Sequence, residues 1–169
     1  MGYDRPVSPE HPVTSPFKRR INPLKPINDD GLPNWQIHNG IDYGCPVGSE
    51  VVSASAGHVV AVNYDKLFEK SGDRSFGLFI IVETQNADSK LWFYYCHLDE
   101  AFPKPGNSVG VGTILGASGG YYSDPMLLEQ RRRRGSSSGS HLHFGIKRFA
   151  ATEPVGTWID PLALTNVFL

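Results

Sequence analysis

Apolar and polar residues alternate with a period of two in several short stretches, and no long stretch shows the 3.6-residue period of an amphipathic helix. The alternating stretches are rich in β-branched and aromatic residues, and segments containing glycine and proline separate them. This pattern predicts an antiparallel sheet of short strands. The predicted strands are residues 50–55, 58–63, 78–84, 91–97, 113–117 and 140–147.

The composition fits one mainly β domain with little helix. The chain has 169 residues, 40% of them hydrophobic, with 18 glycines and 13 prolines that favour turns over helices. No segment approaches the roughly 18 consecutive apolar residues of a membrane-spanning helix, and the net charge of −1 gives no reason to expect nucleic-acid binding. We therefore expect one twisted antiparallel sheet, with long loops that wall a groove on its concave face. We assign residues 1–14 to an N-terminal extension or linker and residues 15–169 to the folded domain.

Two histidines in the predicted strand 140–147 form the first candidate site motif. His141 and His143 point to the same face, because successive side chains of a strand alternate. Their positions lie roughly 6–7 Å apart, so one ion with Zn–N bonds of about 2.0–2.1 Å could take both only if the strand bent sharply. One histidine is therefore expected to bind a metal and the other to assist.

A histidine and an aspartate form the second motif, His38 to Asp42. Gly40, Gly44 and Pro46 lie in or after it, so it is not a helical zinc pair and must be presented by a strand or turn. Together with one histidine of the first motif, these residues make three ligands with nitrogen and oxygen donors. Three protein ligands leave a fourth position for water, which is the pattern of a catalytic zinc site.

A further histidine, His97, ends the aromatic strand 91–97. Alternation predicts that it shares a face with Phe93 and Tyr95, and that Cys96 faces away from it into the core. Alone, such a histidine is typical of a capped core residue, but the two motifs above favour a place in the site.

The chain contains two cysteines, Cys45 and Cys96, without the spacing of a zinc motif. A pair of buried thiols is the expected state, and a disulfide is the alternative.

The order of these motifs resembles the lysostaphin-type, or LytM-type, zinc peptidases, which cut the stem peptides and cross-links of bacterial peptidoglycan. The resemblance runs through nearly the whole chain, and it is specific because the motifs occur in the same order. They are residues 15–17 with Arg20, and then 38–43, 48–54, 56–60, 77–83, 95–98, 110–116, 138–144 and 160–161.

By position, the resemblance implies that His38, Asp42 and His143 bind one zinc ion, and that His97 and His141 are unligated catalytic histidines. It implies a lysostaphin-like β fold and an endopeptidase in which a metal-activated water hydrolyses peptide bonds of peptidoglycan stems or cross-links. His141 is assigned as the base for that water, and His97 as the residue that stabilises the oxyanion or protonates the leaving amine. Exchanged roles for the two histidines remain open.

Two inserts, residues 64–75 and 119–137, depart from the compact family pattern and are predicted to wall the substrate cleft. The second contains four consecutive arginines, 131–134, which are typical of a solvated loop; contact with an anionic wall polymer is the alternative. Lys18 and Arg19 stand where many relatives have a glycine before the arginine. The predicted substrate-binding residues are Tyr121, Tyr122 and Arg20, with packing as the alternative for the tyrosines.

The N-terminal residues 1–12 are polar and proline-rich, without the apolar segment of a signal peptide. If Met1 is the native start, we expect delivery by a bacteriophage, as an endolysin or as a tail peptidase carried with other virion proteins. A secreted autolysin that has lost its signal would look the same. One alternative is a metal-free wall-binding module, which the presence of all five site residues disfavours. The other is a virion-associated structural component with an intact peptidase site, which would differ in its partners and not in its chemistry.

Overall fold

The computed structural model describes residues 3–22, 25–64, 76–85, 89–120, 135, 137–150 and 155–164. Within these ranges the chain forms strands and one short helix, α1. The strands are β1 Val13–Ser15, β2 Lys18–Ile21, β3 Trp35–His38, β4 Ile41–Tyr43, β5 Glu50–Val52, β6 Gly57–Tyr64, β7 Leu78–Gln85, β8 Ser89–Ala101, β9 Ser108–Val109, β10 Ile114–Ser118, β11 Leu142–Ala150 and β12 Thr157–Ile159, and α1 is Pro161–Leu164.

Ten of the strands form one antiparallel sheet, and β2 and β3 form a separate pair. The main path runs β1-β4-β11-β8-β7-β6-β9, with β12 beside β11, and with β10 pairing both β8 and β5. The predicted mainly antiparallel β fold with little helix is confirmed. No helix in the described part of the chain is long and apolar enough to span a membrane.

The two faces of this sheet bury different sets of residues, as the period of two requires. One face carries the main core, which includes Ile41, Tyr95, Phe144 and Ile146. The other face carries a smaller apolar cluster formed by Phe79, Ile81, Tyr94 and Cys96. Polar side chains that alternate with the main core therefore emerge beside the smaller cluster.

The N-terminal segment packs on the main core. Val7 is buried, and the ring of Tyr3 lies 6.0 Å from that of Phe93 and 5.9 Å from that of Phe144. The predicted boundary between residues 14 and 15 falls inside β1, which pairs with β4. Tyr3, Val7 and Val13 thus contact the main core, and the division of the chain at residue 15 stays a prediction.

The two cysteines are buried and form no disulfide with each other, and they belong to different clusters. Cys45 lies in the main core, where burial raises the pKa of its thiol. Cys96 lies in the smaller cluster and pairs with His143 across β8 and β11, so it shares the face of His143. The expected buried thiols are present, and Cys96 is buried in an apolar cluster, but the prediction that it faces away from His97 is wrong, because both residues lie on the face of His143.

Candidate metal centre and active site

Strand register brings residues from distant parts of the sequence to one point. His143 on β11 is directly opposite Asp42 on β4, and opposed residues of antiparallel strands project from the same face. His38 ends β3 and reaches the same place. Asp42 Oδ1 lies 2.9 Å from His143 Nδ1 and 3.0 Å from His38 Nε2, and the two nitrogens are 2.9 Å apart.

A hydrogen bond at Nδ1 determines the tautomer of the His38 ring. Its Nδ1 lies 2.8 Å from the carbonyl oxygen of Pro16, which can only accept, so Nδ1 carries the proton. In the neutral imidazole, Nε2 then presents a lone pair toward the carboxylate of Asp42 and the ring of His143. Such a backbone partner is typical of a histidine that binds a metal.

The donor set of this cluster fits a zinc ion. Three close contacts join His38 Nε2, Asp42 Oδ1 and His143 Nδ1. His38 Nε2 and the carboxylate oxygen carry no proton, so only His143 Nδ1 can donate a hydrogen bond within this group. A cation among the three atoms would replace the repulsion of facing lone pairs by attraction. Their separations are close to the roughly 3.3 Å edge of a tetrahedral site with 2.0–2.1 Å bonds. Among the described residues, this is the only group of three or more potential metal ligands.

The protonation states suit metal binding as well. Burial would raise the pKa of the Asp42 carboxyl, but its contacts with His143 and His38 outweigh this and hold that pKa well below its usual range. Burial lowers the pKa of His143, and its hydrogen bond to Asp42 offsets this only in part. An ionised carboxylate and a neutral imidazole are the forms that bind a metal.

The second carboxylate oxygen of Asp42 is held by Arg20. Arg20 Nη1 lies 2.6 Å from Asp42 Oδ2 and 2.5 Å from Ser15 Oγ, and the arginine side chain is 24% exposed. This leaves Oδ1 of the aspartate directed at the two histidines. The structure thus places Arg20 behind a potential metal ligand, and its contact with substrate stays a prediction.

The backbone before Arg20 is unusual. Lys18 has a φ of 91°, a conformation that glycine adopts freely and that strains a residue with a Cβ. This is the place where the sequence departs from the glycine of many relatives.

His141 directs Nε2 toward the candidate metal-binding group and Nδ1 toward neighbouring protein atoms. Its Nδ1 lies 2.9 Å from the Gly139 carbonyl oxygen and 3.1 Å from Ser137 Oγ, so Nδ1 carries the proton. The lone pair of Nε2 is then directed into the site, 3.6 Å from Asp42 Oδ1. In this state His141 can accept a proton at Nε2.

His97 lies beside His141, with ring centroids 4.8 Å apart, and its ring centroid is 5.9 Å from that of His143. The prediction that His97 shares a face with Phe93 and Tyr95 is wrong. Just before Leu98, β8 has one residue more than the paired part of β7, and His97 has a φ of 60°. This β-bulge turns the His97 side chain to the opposite face, as bulges near active sites commonly do.

Contacts with Phe76 and Gly40 orient the ring of His143. Phe76 stacks on it at 6.1 Å with an interplanar angle of 28°. Gly40 lies against it so closely that a Cβ there would come within 2.8 Å of His143 Cε1 and Nε2, and within 2.4 Å of the Phe144 carbonyl oxygen. Sequence reasoning identified neither contact, because each depends on the register of separate strands.

Gly40→Ala is expected to displace the His143 ring and to weaken zinc binding at least tenfold, because the added methyl group meets backbone as well as the ring. Competition with a chromogenic chelator measures this affinity. Gly139→Ala is the matched control, since a Cβ there meets nothing within 4 Å. Equal zinc affinity in both variants would contradict this role of Gly40.

Some predicted residues lie outside the described ranges. They include Tyr121 and Tyr122, the four arginines 131–134, and most of both inserts. The expected roles of these residues in walling the cleft or binding substrate stay predictions.

Comparison with known proteins identifies the family of this chain. Residues 36–161 match the model of peptidase family M23. The chain belongs to peptidase family M23. The matched range contains all five candidate metal-binding and catalytic residues, whereas Arg20 precedes it.

Curated relatives of this M23 chain include Mpg of two Neisseria species. The chain is 29% identical over 132 residues to the DD-carboxypeptidase/endopeptidase Mpg of Neisseria meningitidis, a match that covers 78% of this chain and 23% of Mpg. The chain therefore spans about a quarter of that curated relative.

Solved structures show the same fold at low identity. The catalytic domain of lysostaphin from Staphylococcus simulans has a TM-score of 0.61 and 21% identity, with 92% of each chain covered. A zinc-containing peptidase from Vibrio cholerae also has a TM-score of 0.61, with 22% identity over 96% of this chain and 40% of that one. These likenesses extend the fold assignment beyond the range of the family match.

Proposed function

We propose that this M23 chain is a zinc-dependent endopeptidase that hydrolyses peptide bonds in the stems or cross-links of bacterial peptidoglycan. The observation that carries the proposal is the convergence of His38 Nε2, Asp42 Oδ1 and His143 Nδ1 within 3.0 Å of one another. The family and the name of the relative Mpg support a peptidase acting on the cell wall.

The residues that would hold the ion are His38, Asp42 and His143. Zinc bound there supplies a Lewis acid that polarises a scissile carbonyl and activates a water as the nucleophile. Arg20 binds the second oxygen of Asp42 and so helps to orient the carboxylate.

His141 is placed to act as the general base. The Gly139 carbonyl holds its Nδ1 proton, so Nε2 can take a proton from the attacking water and then deliver it to the leaving amine. His97, with its ring beside that of His141, is placed to donate to the oxyanion that forms on the substrate carbonyl. The rings of His97 and His141 therefore lie together beside the proposed ligand group.

Ser137 positions His141 in this scheme. The serine is 2% exposed; its hydroxyl donates to the Gly139 carbonyl at 2.5 Å and can accept from His141 Nδ1 at 3.1 Å. We expect Ser137→Ala to lower kcat about tenfold with unchanged zinc content, because the ring of His141 loses one of its two partners. Ser49→Ala, at an exposed hydroxyl bonded to Pro46, is the control. A normal kcat in Ser137→Ala would contradict the positioning role.

Release of amino groups from purified sacculi tests the proposed function. The protein should release amino groups from the sacculi. It should lose this activity after treatment with a chelator and regain it when zinc is added back. Mass spectrometry of the released fragments then identifies the bond that is cut. No release from the walls of several bacterial types, by protein shown to contain zinc, would overturn the proposal.

The complete ligand set disfavours a metal-free wall-binding module. Bacteriophage delivery, as an endolysin or with tail proteins, stays a prediction, which detection of the chain in purified virus particles would test.

A further inference from the structure

A strip of aromatic rings continues from the metal centre along the same face of the sheet. Successive ring centroids from His143 to the far end of the strip lie 4.8–6.3 Å apart. We call this surface the aromatic strip. Its members are Phe76, Tyr94, Trp158, Trp92 and Phe149.

Strand register places a lysine in the middle of the aromatic strip. Lys147 on β11 lies opposite Trp92 on β8 and opposite Trp158 on β12. It is four residues beyond His143 and therefore on the same face, about 13 Å away at the usual rise of a strand. The strip and Lys147 thus extend the floor of the active site in one direction.

Two ammonium groups lie over the aromatic strip. Lys147 Nζ is 5.4 Å from the ring centroid of Phe149 and 5.6 Å from that of Trp158, and Lys90 Nζ is 5.3 Å from those of Trp92 and Phe149. Such contacts hold a cation at an aromatic surface and reduce its hydration.

The two lysines differ in their ionic partners. Lys90 Nζ lies 3.4 Å from Glu83 Oε2, an oxygen that also accepts from Trp92 Nε1 at 2.6 Å. Among the described residues, no carboxylate lies within ion-pair distance of Lys147. Lys147 is therefore the cation of this surface that has donors left for an external anion.

The aromatic strip is open to a ligand. Tyr94 is buried, but Phe76, Trp92, Phe149 and Trp158 are each only half-buried. Half-buried aromatic rings beside a candidate catalytic centre, together with a lysine that has no ion-pair partner in the described part of the chain, are typical of a surface that binds one chemical class of ligand.

We propose that the aromatic strip binds the peptide substrate beyond the scissile bond, and that Lys147 binds a carboxylate of that peptide. The proposal rests on the proposed peptidase function. An extended peptide rises about 3.3 Å per residue, so the 13 Å from His143 to Lys147 corresponds to about four residues. The bound carboxylate then belongs to a side chain or terminus about four residues from the bond that is cut, with the rings packing along the intervening chain.

Soluble muropeptides prepared from digested sacculi test this inference in two forms, one with native carboxylates and one with carboxylates converted to amides by a carbodiimide and ammonia. For native muropeptides, Lys147→Gln should raise KM about fivefold to tenfold and leave kcat within about twofold, because the lost contact is remote from the reacting atoms. For amidated muropeptides, Lys147→Gln and the unchanged protein should have equal KM. Lys104→Gln, at an exposed turn, is the matched control and should behave like the unchanged protein.

A KM of Lys147→Gln equal to that of the unchanged protein on native muropeptides would overturn the inference. The same rise in KM on native and amidated muropeptides would also overturn it. If no muropeptide is cleaved, the peptidase proposal fails, and the strip is then tested by tryptophan fluorescence during titration with the same muropeptides. Binding of the native form that weakens in Lys147→Gln supports the role of Lys147. Binding that is equal in the two proteins overturns it.

Discussion

Replacing His143 or Asp42 with alanine is expected to remove zinc and wall hydrolysis together. Each residue contributes one of the three ligand atoms that lie within 3.0 Å of one another, and no other described group of ligands is available to substitute. Without the ion, both polarisation of the carbonyl and activation of water are lost, so kcat/KM should fall by more than about 10³-fold.

Metal content by mass spectrometry and amino-group release from sacculi check this result side by side. Asp42→Asn is a second variant that preserves the shape beside Arg20 while removing the negative charge, so loss of zinc can be separated from loss of fold. His58→Ala is the histidine control, because His58 lies on β6, outside the ligand group. Full zinc content in His143→Ala, with loss of zinc in His141→Ala, would show that the two histidines of the motif have exchanged roles.

Replacing His141 with alanine is expected to keep the zinc and to lower kcat by about 10²–10⁴-fold, the usual contribution of a general base. His141 lies at the edge of the ligand group, with Nε2 3.6 Å from Asp42 Oδ1, whereas the three ligand atoms are within 3.0 Å. His97→Ala should also keep the zinc and lose most of the rate, because an oxyanion donor is removed. Normal zinc content with a normal rate in either variant would remove that histidine from the mechanism.

The long strands and the shared face of His141 and His143 could be predicted from the sequence, because both depend on alternation. Strands β7, β8 and β11 each have eight or more residues, enough for a period of two to be visible. The same alternation placed His141 and His143 on one face, and the family resemblance assigned His143 to the metal. The two-residue strand β9 and the three-residue strands β1, β4 and β12 were missed, because strands of that length carry almost no periodic signal.

Features that depend on pairing between distant strands could not be predicted. The bulge that turns His97 toward His141 arises from the mismatch of β7 and β8, and nothing in the local sequence of β8 indicates it. The partners of Arg20 and Ser137 are likewise set by how separate segments meet, so their positions became visible only in the folded chain.

Anomalous X-ray diffraction at the zinc absorption edge, on crystals of the zinc-loaded protein, tests the central claim most directly. We expect one peak within bonding distance of His38 Nε2, Asp42 Oδ1 and His143 Nδ1, with His97 and His141 beside it and not bound. A peak bound by His141 instead of His143, or no peak at this cluster in protein that carries one zinc ion per chain, would contradict it.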